Sequence, residues 1–282
     1  QVKFIDRTFN AKREHALAIW RYIAAHDNGV TNFHFEITAD ILSREMLDFL
    51  KTVRPGLMQF EIGIQSTNSA TIKAINRHVS FETLAPIVRE LRANNNIHLH
   101  LDLIAGLPYE NYESFGHSFD NVYALRPHTL QLGFLKVLKG TELYLKRNEH
   151  RIAYLPYAPY EVLSTKYITA EEIVRLKGVE DVLEKYYNSG KFPFAIELVT
   201  ACYSREFSFY EAFGDWWVSE GLHLINHNTL GLADMLYRFC AAEGRVDLQE
   251  LAYALKFDLC LHEKPKKQPL CLESLPVEEN YV

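Results

Sequence analysis

Between His98 and Glu110 the chain reads HLHLDLIAGLPYE, setting His98, His100 and Asp102 two residues apart and alternating them with Leu99, Leu101 and Leu103. A strand sends successive side chains to opposite faces. Two imidazoles and a carboxylate therefore share one face, with an apolar face behind. Such groups can hold a divalent metal, move a proton, or accept a hydrogen bond from a ligand hydroxyl. Ala105-Gly106-Leu107-Pro108 then turns the chain. The same mixture recurs on other strand-like runs: Asp6 in VKFID, His34 and Glu36 in FHFEI, Glu61 and Gln65 in FEIGIQ with Ser66 directly after, and Gln131 in TLQLGFL. Asp102 and Gln65 read as ligand contacts, because convergent polar groups in a concave site signal binding. Arg77 reads equally as a ligand cation or as a cap on the preceding helix. His98 and His100 fall at the start of their strand, away from the expected site, and read as wet or hydrogen-bonded residues. The competing reading makes them metal ligands of a barrel hydrolase.

The elements that must position these groups repeat one unit over the first half. Val2–Asp6, Phe33–Ile37, Phe60–Ile64, His98–Ile104 and Thr129–Leu135 read as strands. Between them, Ala11–Ala25, Ile41–Val53, Ser69–Ile75, Thr83–Arg92 and Tyr112–Leu125 carry helical spacing, with Asp40 as the expected cap of the second. Strands alternating with helices predict a parallel sheet with right-handed crossovers. No GxGxxG follows the first strand and no GxxxxGK[ST] occurs, so a dinucleotide or P-loop phosphate cradle is missing. A doubly wound sheet would be apolar on both faces, and a closed barrel would be filled by branched apolar side chains. One polar and one apolar face instead predict an α/β fold: a partial (β/α) TIM-like barrel whose concave side binds something. Ligands belong at the carboxyl ends of the strands, where Asp6, Glu36, Gln65 and Asp102 fall.

Residues 146–165, rich in Tyr and Pro, mark a boundary or a strap, dividing the chain into 1–150 and 151–282. Thr169-Ala-Glu-Glu172 is a capping box opening a helix that runs to about Asn188-Ser189-Gly190. Residues 192–260 read as further helices with a heavy aromatic load, including Phe192, Phe194, Phe209, Phe213, Trp216 and Trp217, which is core spacing. The tail from His262 reads as an extended strap or as disorder.

Over 282 residues the chain is 48% hydrophobic and 23% charged, a globular composition, with a net charge of −6 that argues against a nucleic-acid surface. No apolar run reaches the roughly 18 residues of a membrane span. The four cysteines, Cys202, Cys240, Cys260 and Cys271, form no close pair and read as reduced thiols of a cytoplasmic protein. The start, QVKFIDRTFN, lacks Met and reads as the edge of an excised piece; the exposed edge of VKFID would then be covered, for instance in a homodimer.

Three stretches taken in order resemble the radical S-adenosylmethionine (SAM) enzymes: FEIGIQSTNSATIKAINR (60–77), HLHLDLIAGLPYE, and LQLGFLKVLKGTEL (130–143). FIDRTFN resembles members with an upstream cobalamin-binding domain, and the helical half is similar to an uncharacterised domain attached to such members. The resemblance implies that residues 1–150 are strands two to six of the barrel. It implies an Fe–S oxidoreductase that cleaves SAM to a 5′-deoxyadenosyl radical, with SAM, a [4Fe–4S] cluster and cobalamin as cofactors and a small molecule as substrate. It assigns SAM contacts to Glu36, Gln65 and Ser66, the SAM carboxylate to Arg77 and a ribose hydroxyl to Asp102. Two features depart from the family. The CxxxCxxC that binds the cluster is absent and belongs upstream of Gln1, leaving this piece inactive by itself, and Asp6-Arg7-Thr8 stands where Gly-Gly-Glu is expected. A third reading keeps the barrel as a non-catalytic binding scaffold.

Overall fold

The computed structural model describes residues 1–262 and 269–272, so most of the tail expected to be a strap lies outside the described residues. The strands of the main sheet are β1 (Val2–Lys3), β2 (Phe33–Ile37), β3 (Met58–Gln65), β4 (His98–Ala105) and β5 (Thr129–Phe134). They pair in chain order, all parallel, without a reversal of direction across the sheet. This is the wall of a curled half-barrel. The crossovers are α1 (Arg13–Ala25), α2 (Arg44–Leu50), α3 (Ser69–Ala74) with α4 (Phe81–Asn94), and α5 (Tyr112–Tyr123).

The period-two pattern decides which face is dry. Along β3, Met58, Phe60, Ile62 and Ile64 are buried, while Gln59, Glu61, Gly63 and Gln65 are only half covered. β4 repeats this, with the leucines buried and His98, His100, Asp102 and Ile104 half covered. The apolar face packs under the helices: Trp20 of α1 is fully buried, 5.3 Å from the ring of Phe60 and 6.1 Å from that of Phe35. Parallel register then stacks the polar face in rungs. Glu36 lies beside Glu61, Glu61 beside His100, and Gly63 beside Asp102.

Two local expectations are corrected. β1 ends at Lys3, so Asp6 lies on the following loop and not on a strand. Asp40 does not cap α2. Residues Ala39–Ile41 form a 3-10 turn, the Asp40 carboxylate accepts from the Thr38 hydroxyl, and the cap is Ser43, whose Oγ accepts from the Met46 N–H at 3.3 Å. Ser80, Asn68 and Asn111 cap α4, α3 and α5 in the same way. After α6 (Glu142–Leu145) the bridge forms a short antiparallel pair, β6 (Ala153–Tyr154) with β7 (Val162–Ser164). Gly106 has φ +88°, and a Cβ there would lie 2.8 Å from Val162 Cγ1, so the turn after β4 needs glycine.

The chain separates into two compact units, Gln1–Ile173 and Val174–Val282. α7 (Ala170–Leu183) opens with the expected capping box: the Glu172 N–H donates to Thr169 Oγ1 at 3.2 Å and the Thr169 N–H donates to Glu172 Oε2 at 2.8 Å. A π-helical turn, Glu184–Asn188, continues it. The second unit then adds α8 (Pro193–Thr200), α9 (Glu206–Ser219), α10 (Thr229–Glu243) and α11 (Leu248–His262). Phe192, Phe209, Phe213 and Trp217 are fully buried in its core, as their spacing predicts, and Tyr186 joins them, whereas Trp216 is half-buried and Phe194 is 47% exposed. Asp258 of α11 is buried and accepts from the N–H groups of Phe194 (3.1 Å) and Ala195 (2.9 Å), satisfying the start of α8. Among the described residues no helix is long and apolar enough to cross a membrane.

Candidate functional site

At the carboxyl ends of β2, β3 and β4 lies a cavity of about 360 Å³, within the range of small-molecule sites. It gathers Glu36, Gln65, Ser66, Arg77 and Asp102, five of the six residues singled out in the sequence. Asp6 does not line it; the next two residues, Arg7 and Thr8, do.

Gln65 sits on a break in register, since Gly63 pairs with Asp102 but Gln65 pairs with Leu103. Its φ is +71°, a left-handed conformation that a side chain other than glycine adopts at a cost. Bulges of this kind re-aim side chains. Here Gln65 folds back over Gly63, where a Cβ would fall 2.1 Å from Gln65 Nε2. Gln65 Oε1 is buried with no hydrogen-bond partner among the described residues. Arg77 Nη1 donates to the Gly63 carbonyl at 2.5 Å. Burial pulls the guanidinium below its ordinary pKa, while Asp102 and Asp40 pull it back.

The floor is acidic. Burial pushes Asp102 up to about 7, with Glu61 and Glu36 adding to the shift and Arg77 and Lys3 opposing it. Asp102 Oδ1 is a second buried acceptor without a hydrogen-bond partner among the described residues; it lies 3.3 Å from His100 Nε2, at ion-pair distance but outside hydrogen-bond geometry. Glu61 accepts from His34 Nε2 at 2.9 Å and from Lys3 Nζ at 3.1 Å. Burial raises Glu61, but the hydrogen bond and charge of Lys3 outweigh it and hold the carboxyl below its ordinary value. Lys3 also lies 3.6 Å from Glu36.

Two further contacts fix the loops around the cavity. The Ser66 hydroxyl donates to Glu110 Oε1 at 2.6 Å, and Ser118 donates to the same oxygen at 2.8 Å. Glu110 is 1% exposed, and burial pushes it up to about 7 against the pull of both serines. It ties the end of β3 to the turn after β4. On the other side, Asn10 is fully buried; its Nδ2 donates to the Thr38 carbonyl at 2.7 Å and its Oδ1 accepts from the Thr38 N–H at 3.0 Å. This reciprocal pair holds the loop carrying Arg7 and Thr8 against the end of β2. Glu110 stood inside the stretch that first drew attention, and its distance from the apolar alternation gave no sign of a role. The Asn10 clamp has no sequence signal.

The histidines sit lower on the sheet. His98 Nε2 shares a hydrogen bond with Thr129 Oγ1 at 3.1 Å, and its ring stacks on His128 at 4.8 Å. Burial lowers the pKa of His98 and takes His128 down to about 4. Among the described residues no group of three or more His, Cys, Asp or Glu is arranged to hold a metal.

The chain is 27% identical over 114 residues to the oxygen-independent coproporphyrinogen-III oxidase-like protein HemZ of Bacillus subtilis, a match covering 40% of this chain and 22% of that protein. It is 31% identical over 107 residues to the oxygen-independent coproporphyrinogen III oxidase of Salmonella typhimurium, covering 36% and 23%. The chain thus spans about a fifth of the length of these curated relatives. Among solved structures, coproporphyrinogen III oxidase (HemN) from Escherichia coli, titled a radical SAM enzyme, aligns with TM-score 0.38 and 12% identity over 66% of each chain. The radical SAM methyltransferase TsrM from Kitasatospora setae aligns with TM-score 0.41 and 18% identity over 47% of this chain and 26% of its own. The chain is thus similar, over part of its length, to radical SAM enzymes and to oxygen-independent coproporphyrinogen III oxidases. Residues 148–281 match a family described only as a protein of unknown function, DUF4080.

Proposed function

We propose that the cavity at the ends of β2–β4 binds SAM, and that the intact protein is a radical SAM oxidoreductase or methyltransferase acting on a small molecule. The observation that carries this reading is the pair of buried acceptors without a hydrogen-bond partner among the described residues, Gln65 Oε1 and Asp102 Oδ1, beside a buried guanidinium. A buried polar atom without a partner is costly, and a ligand rich in donors removes that cost. The ribose diol and the ammonium of SAM are such donors; its carboxylate suits a guanidinium. Asp102 is suited to a ribose hydroxyl, Gln65 and the floor carboxylate Glu36 to the amino-acid end, and Ser66 to holding the strand end in place. Asp6, which does not line the cavity, has no place in this set.

When bound, SAM and a [4Fe–4S] cluster supply one-electron cleavage chemistry that belongs to the cofactors. The first unit contains no cysteine, so it supplies no thiolate to a cluster. What the chain itself does is bind, orient and exclude water.

Isothermal titration of the 282-residue chain with SAM tests the reading without the cluster. Saturable one-site binding that is lost in Asp102→Ala with the fold intact is expected. Absence of binding by the wild-type chain would sink the proposal. For the longer protein, reconstitution with iron and sulfide followed by reduction should yield 5′-deoxyadenosine.

A further inference from the structure

We infer that Glu110 is a positioning residue of the cavity: without lining it, Glu110 fixes Ser66 and so holds the end of β3 in the bend that sets Gln65 on the cavity wall. Its effect on binding rests on the reading of the cavity as a SAM site; its effect on the bend does not.

The direction of the hydrogen bonds places Glu110 at the end of the chain of donors. A hydroxyl has one proton to give. Ser66 Oγ accepts from the Asn68 N–H at 2.9 Å, and Ser118 Oγ accepts from the Thr67 N–H at 3.0 Å. Both hydroxyl protons then go to Glu110 Oε1, at 2.6 Å and 2.8 Å. One carboxyl group thereby orders two consecutive backbone amides just beyond Gln65. Asn121 and Ser114 also reach this loop, at Thr67 Oγ1 and Asn68 Nδ2, but on residues that do not line the cavity. Ser66 does line it and is 1% exposed. A left-handed residue such as Gln65 persists only where its neighbours hold it. Arg77 holds one side, at the Gly63 carbonyl, and Ser66 holds the other.

The arrangement suits a neutral acid. Glu110 is 1% exposed, and its Oε2 is buried with no hydrogen-bond partner among the described residues. Ser66 meets it from the end of β3 and Ser118 from α5, and neither carries a charge. Glu113 and His117 of α5 are exposed and face each other at 4.0 Å. Burial raises the Glu110 carboxyl against the pull of both serines, and no charged side chain contributes. A proton on Oε2 leaves Oε1 to accept from both hydroxyls. Once the acid ionises, an open loop that brings the carboxylate to water gains on the closed one. The closed form is therefore fully favoured below the ordinary 4.5 of a glutamate, and its advantage is lost as pH rises to about 7.

Amide exchange at Thr67 and Asn68, corrected for the intrinsic dependence of exchange on pH, reads the bend in the ligand-free chain. Protection at both amides should fall at least about tenfold from pH 5 to pH 8 in the wild type. In Glu110→Gln, which keeps the acceptor and cannot ionise, it should stay within about twofold. Titration calorimetry at pH 6 reads the consequence for the ligand. Glu110→Ala should bind SAM at least about tenfold more weakly than the wild type, and Glu110→Gln should recover most of that loss. Wild-type protection that does not change with pH, an equal fall in Glu110→Gln, or full SAM affinity in Glu110→Ala would overturn the assignment. If Glu110→Ala does not fold, the exchange profiles of the wild type and Glu110→Gln decide the matter. A wild-type chain that binds no SAM would overturn the reading of the cavity, a separable outcome, and the same exchange profiles would still decide the role of Glu110.

Discussion

Gly63 and Gln65 constrain one another, and the conflict between them is resolvable by only one partner. A Cβ at position 63 would meet the far end of the Gln65 side chain at 2.1 Å, not the backbone. The strand can therefore stay in place while Gln65 swings out. Gly63→Ala should shift the thermal midpoint by no more than a few degrees, yet weaken SAM binding at least about fivefold by calorimetry; unchanged affinity would show that Gln65 is not a contact. Asp102 supplies the pH dependence. Its pKa is raised from the ordinary 3.8 to about 7, so the folded state holds a proton that the unfolded chain releases. The favourable contribution is complete below about pH 4 and is lost as pH rises to about 7. Asp102→Asn removes this term, so urea midpoints should show the variant gaining on the wild type between pH 5 and pH 8. A constant difference across that range would contradict the shift. These residues were legible because alternation exposes a polar group on a strand. Asp6 misled for the same reason: a carboxylate ending an apolar run looks like a strand end, but the strand stops at Lys3. Arg7 was hidden because its loop is held by Asn10 and Thr38, residues 28 positions apart.

Helix crossings in the second unit depend on a contact with no room in it. A Cβ on Gly214 of α9 would lie 2.8 Å from the Gly178 carbonyl carbon and 2.9 Å from the Val179 nitrogen, both backbone atoms of α7. Nothing flexible can give way, so the helices must separate. Gly214→Ala should cost about 1–3 kcal/mol despite alanine's better helix propensity, read from chemical denaturation; a stabilised variant would mean the crossing is looser than drawn. Sequence alone shows each glycine as a local weakness, and the pairing that makes both necessary exists only in three dimensions. Strand β2 matched its expected Phe33–Ile37 span because five residues of alternation leave no second solution. Asp40 failed as a cap because Ser43 is an equally good candidate three residues on, and the Thr38 hydroxyl engaged the aspartate first.

Across the whole chain, every residue lining the cavity lies between positions 7 and 102. Saturating SAM should slow amide exchange at the ends of β2, β3 and β4 and leave α8–α11 unchanged; protection appearing first in the helical unit would relocate the site. The barrel half announced its chemistry through polar residues on strands, whereas the helical half is aromatic core, which specifies packing and says nothing of purpose. The one-sided sheet has a last consequence, in heat capacity. Apolar pockets bind with a negative heat-capacity change because they shed water from hydrocarbon. The concave rungs here carry Glu36, Glu61, His100 and Asp102 instead. Dehydrating polar surface changes the heat capacity in the opposite direction, so occupation of this cavity should leave the enthalpy of binding nearly flat with temperature, a calorimetric mark of a barrel wall built to face charge.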